Sequence, residues 1–124
     1  MDKRELFLQY AKQIKNLGYT VYISADEYYN YGYIVNEKDQ ICYFQFSDYF
    51  DLLNFSTVHI PCRQCGEGFR MYENIAEPTK EIINSCFFAG PNWARDYLKY
   101  VTKYKGWENY QSYKLNQICK TIKL

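Results

Sequence analysis

Two cysteines three positions apart form the pattern in this 124-residue chain that is most directly linked to chemistry. They lie in the segment Pro61-Cys62-Arg63-Gln64-Cys65-Gly66. A tight turn of this composition lets both thiolates face one tetrahedral metal ion. We interpret Cys62 and Cys65 as half a zinc site, and the alternative is an accidental pair of thiols in an ordinary turn.

The remaining ligands can come from three further cysteines and the single histidine: Cys42, Cys86, Cys119 and His59. We expect a structural zinc held by Cys62, Cys65, Cys86 and Cys42, because four protein ligands leave no open position for water. The competing interpretation of Cys42 and Cys86 is that each is a small buried hydrophobic residue in an apolar pattern.

His59 and Cys119 are alternate ligands. His59, two residues before Pro61, can bind zinc through a ring nitrogen, but a histidine in a strand can equally donate to a neighbouring carbonyl. Cys119 reaches the site only if the last strand pairs beside the hairpin that carries Cys62 and Cys65.

The chain lacks a recognisable catalytic pattern. The segment from Pro61 to Cys65 matches half of the zinc-deaminase signature, but the His-x-Glu half is missing because His59 is the only histidine. Gly66-x-Gly68 is too short for a phosphate-binding loop. We therefore expect a protein that is not an enzyme, and a hydrolase or deaminase with an unrecognised zinc centre is the weakest alternative.

Aromatic residues make up 20% of the chain and include 15 tyrosines, which is too much apolar surface for a disordered protein. A single folded domain over residues 1–124 is expected from this length. Tyrosine, tryptophan and arginine are the usual anchors of protein interfaces. The candidate partner-binding residues are Tyr28, Tyr29, Tyr31, Trp93 and Trp107, although aromatic residues in small domains also serve packing alone.

Charge is distributed unevenly. Residues 26–51 hold six acidic residues and one lysine, whereas residues 95–124 hold seven basic residues and two acidic ones. A small zinc-containing nucleic-acid-binding protein is therefore the alternative function, with phosphates bound by Lys99, Lys103, Lys105 and Lys114. The alternative interpretation is that this basic segment is a solvated surface that keeps the protein soluble.

The amino terminus is followed by an amphipathic stretch rather than a long apolar run, so we expect neither a secretory signal nor a membrane anchor. This predicts a cytoplasmic protein. Five cysteines in a reducing compartment favour metal binding or core packing over a disulfide framework.

Hydrophobic periodicity predicts an amphipathic helix over residues 3–17, started by Asp2 with Glu5 and ended by Gly18. Strands are predicted at 19–24, 31–35, 40–46, 55–60 and 69–72, with a weaker one at 118–124. Helices are predicted from Pro78, with Pro78 in its first turn, and from Asn92. The fold class is α+β: an N-terminal helix, an antiparallel sheet of about four to five strands, C-terminal helices and a zinc knuckle at a hairpin tip.

Two stretches carry a resemblance to known proteins: residues 28–35, and residues 55–61 running into Gly66-Glu67-Gly68-Phe69. They resemble segments of small accessory proteins of bacteriophages and plasmids. In size and tyrosine content the chain is similar to anti-CRISPR proteins, particularly those that inhibit type II-A systems. The resemblance implies a stoichiometric protein ligand, acting in the host cytoplasm, that blocks a Cas effector nuclease by contact. No functional residue is carried over from that family.

Overall fold

The computed structural model describes residues 2–38, 40–47, 49–57, 70–87 and 121–124. The helices and strands in these residues are α1 (Lys3–Asn16), β1 (Thr20–Ser24), β2 (Tyr31–Val35), β3 (Ile41–Phe46), β4 (Leu53–Thr57), β5 (Met71–Ile75), α2 (Lys80–Ser85) and β6 (Thr121–Lys123). The α+β class with an N-terminal helix and an antiparallel sheet is confirmed.

The sheet has the strand order β5-β4-β3-β2-β1-β6, and every neighbouring pair is antiparallel. The five consecutive strands form the predicted meander. The sheet has six strands rather than four to five, because the C-terminal residues return to β1, where Thr121 lies opposite Ser24. This return pairs residues about 100 positions apart, which local periodicity does not reveal.

Helix α1 forms where the periodicity predicted it. The Asp2 side chain accepts a hydrogen bond from the Glu5 amide at 2.8 Å, and Gly18 after the helix has a φ of 107°, a conformation that favours glycine. The buried face of α1 packs on β3, where the rings of Phe7 and Phe44 are stacked 5.6 Å apart. The helix thereby contributes Phe7, Tyr10, Ala11 and Ile14 to the core on one face of the sheet.

Gly32 in β2 allows the strands and the core to approach closely. A Cβ atom at this position would lie 2.2 Å from the Tyr22 carbonyl oxygen and 2.7 Å from the Phe44 ring. Only glycine fits such a contact without movement of the backbone.

The antiparallel order gives the sheet two distinct ends. The β1–β2 and β3–β4 turns, residues 25–30 and 47–52, lie together at one end, which we call the aromatic end. The start of β3 at Cys42 lies opposite the end of β4 at Thr57 at the other end, which we call the cysteine end.

Three predicted boundaries differ from the structure. β4 begins at Leu53 rather than at residue 55, and its alternation buries both Leu53 and Phe55. A register shift opposite these two residues places an extra residue in β5. β5 is Met71–Ile75 rather than 69–72. α2 begins at Lys80 after the N-cap Thr79, so Pro78 lies outside its first turn.

Two predicted features lie outside the described residues. They are the helix from Asn92 and the zinc knuckle around Cys62 and Cys65. Neither α1 nor α2, the helices of the described part, is long and apolar enough to cross a membrane.

Candidate functional site

The aromatic end exposes a cluster of large apolar side chains. Tyr28 is 83% exposed, Tyr29 57%, Tyr49 88% and Phe50 63%. Among the described residues, only two other large hydrophobic side chains are exposed, and they lie on the edge strands: Met71 and Ile122. Exposed apolar residues are therefore concentrated where the two turns meet, and such concentration is typical of interaction sites.

The turn at residues 25–30 is held in one conformation by its own side chains and by α1. The Asp26 carboxylate accepts from the Tyr28 amide at 2.9 Å, and the Asp26 carbonyl accepts from the Tyr29 amide at 3.2 Å. The Ser24 hydroxyl donates to the Tyr29 carbonyl. Both tyrosines are thus presented by an ordered backbone, which reduces the entropy lost on binding.

Arg4 of α1 ties that turn to the helix. Its guanidinium donates to the Ser24 carbonyl at 2.7 Å, the Ser24 hydroxyl at 3.0 Å, the Asn30 side chain at 3.2 Å and the Tyr29 carbonyl at 3.4 Å. The planar fork of arginine suits such a set of acceptors, and lysine would not replace it. Arg4 is a positioning residue for Tyr28 and Tyr29.

The second turn, residues 47–52, is ordered in a similar way. The Ser47 amide donates to the Leu52 carbonyl at 2.7 Å, and the Ser47 hydroxyl accepts from the amides of Tyr49 at 3.3 Å and Phe50 at 3.4 Å. The Tyr10 hydroxyl of α1 donates to the Asp51 carbonyl at 3.4 Å.

A backbone hydrogen bond connects the two turns directly. The Phe46 amide donates to the Asn30 carbonyl at 2.8 Å. Because α1 also contacts both turns, the two turns that carry the four exposed rings are fixed relative to each other by hydrogen bonds.

The charged residues within the two turn sequences are all acidic. The turn sequences Ala-Asp-Glu-Tyr-Tyr-Asn (25–30) and Ser-Asp-Tyr-Phe-Asp-Leu (47–52) contain acidic residues and neither lysine nor arginine. Aromatic anchors with an acidic surround suit a partner surface that is basic and offers apolar pockets.

The structure separates the five nominated partner-binding residues. Tyr28 and Tyr29 are exposed, whereas Tyr31 is only 6% exposed and its ring stacks on Tyr43 at 6.4 Å. Tyr31 is buried because both faces of β2 are covered, so it is not available to a partner. Trp93 and Trp107 lie outside the described residues, as do Lys99, Lys103, Lys105 and Lys114.

Sequence reasoning missed Tyr49 and Phe50. A usable pattern was present, since both residues lie between two predicted strands and are flanked by Asp48 and Asp51. Because two consecutive aromatic residues in an acidic turn do not belong to the buried face of a strand or helix, they are expected to be exposed.

The cysteine end brings together two of the four predicted zinc ligands. Cys42 of β3 and Cys86, the residue after α2, are both fully buried free thiols of the same core cluster, and the Cys42 thiol donates to the Tyr43 carbonyl at 3.5 Å. The pair forms part of the core beside α1.

The two thiols are not equivalent. Burial raises the pKa of Cys42 well above its ordinary value, and the neighbouring Cys86 thiol acts in the same direction. The Cys42 thiol in turn lowers the pKa of Cys86, and the nearby Arg70 guanidinium adds to this effect. Cys86 is thus the thiol of the pair that ionises first, and the thiolate is the form that binds metal.

Thr57 and Arg70 are the described residues on either side of the segment that contains Cys62 and Cys65, and both lie near this pair of thiols. Thr57, opposite Cys42, donates its amide to the Arg70 carbonyl at 3.0 Å, and the Arg70 amide donates to the Thr57 hydroxyl at 3.2 Å. Cys62, Cys65 and His59 themselves lie outside the described residues. Within the described part, no group of three or more histidine, cysteine, aspartate or glutamate side chains is placed to hold a metal ion.

The structure does not meet the condition set for Cys119 as an alternate ligand. The last strand pairs with β1 instead of the β4–β5 hairpin, and the chain enters it at Thr121 beside Ser24, near the aromatic end. Cys119, which precedes Thr121 by two positions, is outside the described residues.

Comparisons with protein-family models, with curated proteins and with solved structures found no match to this chain.

Proposed function

We propose that this protein is a stoichiometric protein ligand that binds its partner through the aromatic end. The partner class is the one implied by the resemblance to anti-CRISPR proteins, a type II-A Cas effector nuclease in the host cytoplasm. Binding blocks DNA binding or cleavage by the effector, and the protein itself performs no catalysis.

The observation that carries the proposal is the exposure of Tyr28, Tyr29, Tyr49 and Phe50 on two turns that are hydrogen-bonded to each other and to α1. Exposing four large rings does not stabilise the fold, whereas protein interfaces use such residues as anchors. The surface is ordered before binding, so little conformational entropy is lost on association.

The charge of the aromatic end supports an effector nuclease as the partner class. An effector that handles nucleic acid has basic surfaces for phosphates, and an acidic ligand with aromatic anchors is complementary to them. Charge complementarity mainly accelerates association, so the on-rate should fall as salt is raised.

A structural zinc ion at the cysteine end completes the proposal, with Cys42, Cys86, Cys62 and Cys65 as ligands. Cys62 follows Thr57 by five positions and Cys65 precedes Arg70 by five. An extended chain of five residues spans at most about 17 Å, so both cysteines are within reach of the buried pair. Zinc would hold the 58–69 segment against β3 and α2.

The test of function is a reconstituted cleavage assay with purified type II-A effector, guide RNA and target DNA. We expect the wild-type protein to inhibit cleavage at a ratio near one per effector and to bind free DNA or RNA weakly. Strong, salt-sensitive binding to free nucleic acid without inhibition would contradict the proposal and favour the nucleic-acid-binding alternative.

Matched variants localise the contact in the same assay. Tyr49→Ser with Phe50→Ser should abolish inhibition, because two anchors are lost. Met71→Ser with Ile122→Ser is the control, since it removes apolar side chains of similar exposure from the edge strands. Equal inhibition by both double variants would show that the aromatic end is not the contact.

The zinc is tested separately by elemental mass spectrometry of protein purified without chelator. We expect about one zinc per chain, and Cys62→Ser with Cys65→Ser should lose both the metal and thermal stability. An unchanged melting temperature in that variant would remove these two residues from the site.

A further inference from the structure

A cleft of about 450 Å³ lies at the cysteine end of the sheet, which is opposite the aromatic end. It is formed by the end of α1, the start of β1, the β2–β3 turn and α2. Its volume falls within the range of small-molecule sites, about 300–1,000 Å³. The proposed protein contact does not involve it.

The side-chain amide oxygens that line this cleft each accept at least one hydrogen bond from within the protein. The Asn36 oxygen accepts from the backbone amides of Lys38 at 3.0 Å and Gln40 at 2.9 Å, and the Asn36 amide donates to the Gln40 oxygen at 2.8 Å. The Asn84 oxygen accepts from the Tyr19 hydroxyl at 2.6 Å.

These bonds leave the side-chain NH₂ groups of Gln40 and Asn84 without a hydrogen-bond partner in the described part of the chain. An amide NH₂ group donates two hydrogen bonds and accepts none. The two amides therefore offer donors to any molecule in the cleft.

Two ammonium groups add positive charge. Lys38 on the β2–β3 turn and Lys80 at the start of α2 both line the cleft, and among the described lining residues Glu37 is the one carboxylate. Donors and cations together favour an anion, since hydrogen bonds to a charged acceptor are about twice as strong as neutral ones.

One wall of the cleft is aromatic. The rings of Tyr19 and Phe87 lie 5.6 Å apart, tilted by 51°, and Leu17 adjoins them. Such a wall contributes a surface on which a flat ring can pack.

We propose that this cleft binds a small anion that carries a flat ring, the class represented by a nucleoside monophosphate. The ring packs against Tyr19 and Phe87, and the anionic group is held by Lys38 and Lys80. The amides of Gln40 and Asn84 donate to the polar edge of the ligand. This site is independent of partner binding at the aromatic end.

The test is an NMR titration of the ¹⁵N-labelled protein with AMP, adenosine and inorganic phosphate in parallel. AMP should shift the backbone amides of Tyr19, Gln40, Asn84 and Phe87 in a saturable way. Adenosine lacks the charge and phosphate lacks the ring, so each should bind at least about tenfold more weakly than AMP.

Lysine variants assign the charge. Lys38→Ala with Lys80→Ala should weaken AMP binding at least about tenfold, because two charge-assisted contacts are lost. Lys12→Ala with Lys123→Ala is the control, since neither lysine lines the cleft. The absence of saturable shifts with millimolar AMP, equal affinity for phosphate alone, or equal loss in the control would each overturn the proposal.

Discussion

The two ends of the sheet differ in whether residues of types that are usually buried are exposed or buried there. At the aromatic end, four large rings are exposed on turns braced by hydrogen bonds. At the cysteine end, two free thiols are fully buried in the core. The first arrangement costs the isolated protein solvation free energy, whereas the second contributes to its core.

The proposed partner contact and the stability of the fold therefore depend on different residues. Because the exposed rings make few contacts with the core, they can change without loss of the fold. The buried thiols pack among Phe44, Phe55 and Ile83, so they cannot. The predictions below test this separation.

The largest effect is expected at the cysteine end. Cys42→Ser with Cys86→Ser should lower the free energy of unfolding by at least about 3 kcal/mol, because it buries two hydroxyl groups and removes two proposed zinc ligands. Chemical denaturation measures this change.

The matched variant Cys42→Ala with Cys86→Ala separates polarity from metal binding. A chelator should lower the melting temperature of the wild-type protein and leave that of this variant unchanged. Equal melting temperatures of the wild-type protein with and without chelator would show that the pair stabilises by packing alone.

The strand between the two ends is the next most sensitive region. Gly32→Ala should cost about 2–3 kcal/mol, because the added Cβ atom meets the Tyr22 carbonyl and the Phe44 ring. Gly18→Ala is the control: no atom lies within 4 Å of its Cβ position, so only the positive φ is penalised, by about 1 kcal/mol. A larger loss for Gly18→Ala than for Gly32→Ala in thermal unfolding would contradict this packing.

Arg4→Ala should have an intermediate effect, a loss of about 1–2 kcal/mol, because four hydrogen bonds to the 25–30 turn disappear from a partly exposed site. Hydrogen exchange at the amides of Tyr28 and Tyr29 should accelerate, while Lys12→Ala on the same helix should leave it unchanged. Unaltered exchange after Arg4→Ala would mean that the turn holds its conformation without the helix.

The sequence predicted the elements whose pattern is local. Helix α1 has a cap, an apolar face and a terminal glycine, and β2 matched its predicted bounds at Tyr31–Val35. β5 was misplaced because its burial is slight and Asn74 adopts a φ of 59°, so no alternation marks it. The pairing of β6 with β1 depends on contacts distant in sequence, and no local pattern encodes them.

The candidate site was predictable to a similar degree. Because all three are tyrosines, the sequence predicted Tyr28, Tyr29 and Tyr31 together as contact residues. The structure shows that Tyr28 and Tyr29 are exposed whereas Tyr31 is buried. In the same way, an apolar pattern suggested that Cys42 and Cys86 are buried, but that both belong to one core cluster is a result of tertiary packing.

The most direct test of the separation between the two ends is one variant that combines Tyr28→Ser, Tyr29→Ser, Tyr49→Ser and Phe50→Ser, measured for binding to the purified type II-A effector and for unfolding. Each exposed change should alter stability by no more than about 0.5 kcal/mol. Affinity should fall at least about 100-fold. A folded variant that binds the effector as tightly as the wild-type protein would contradict the account.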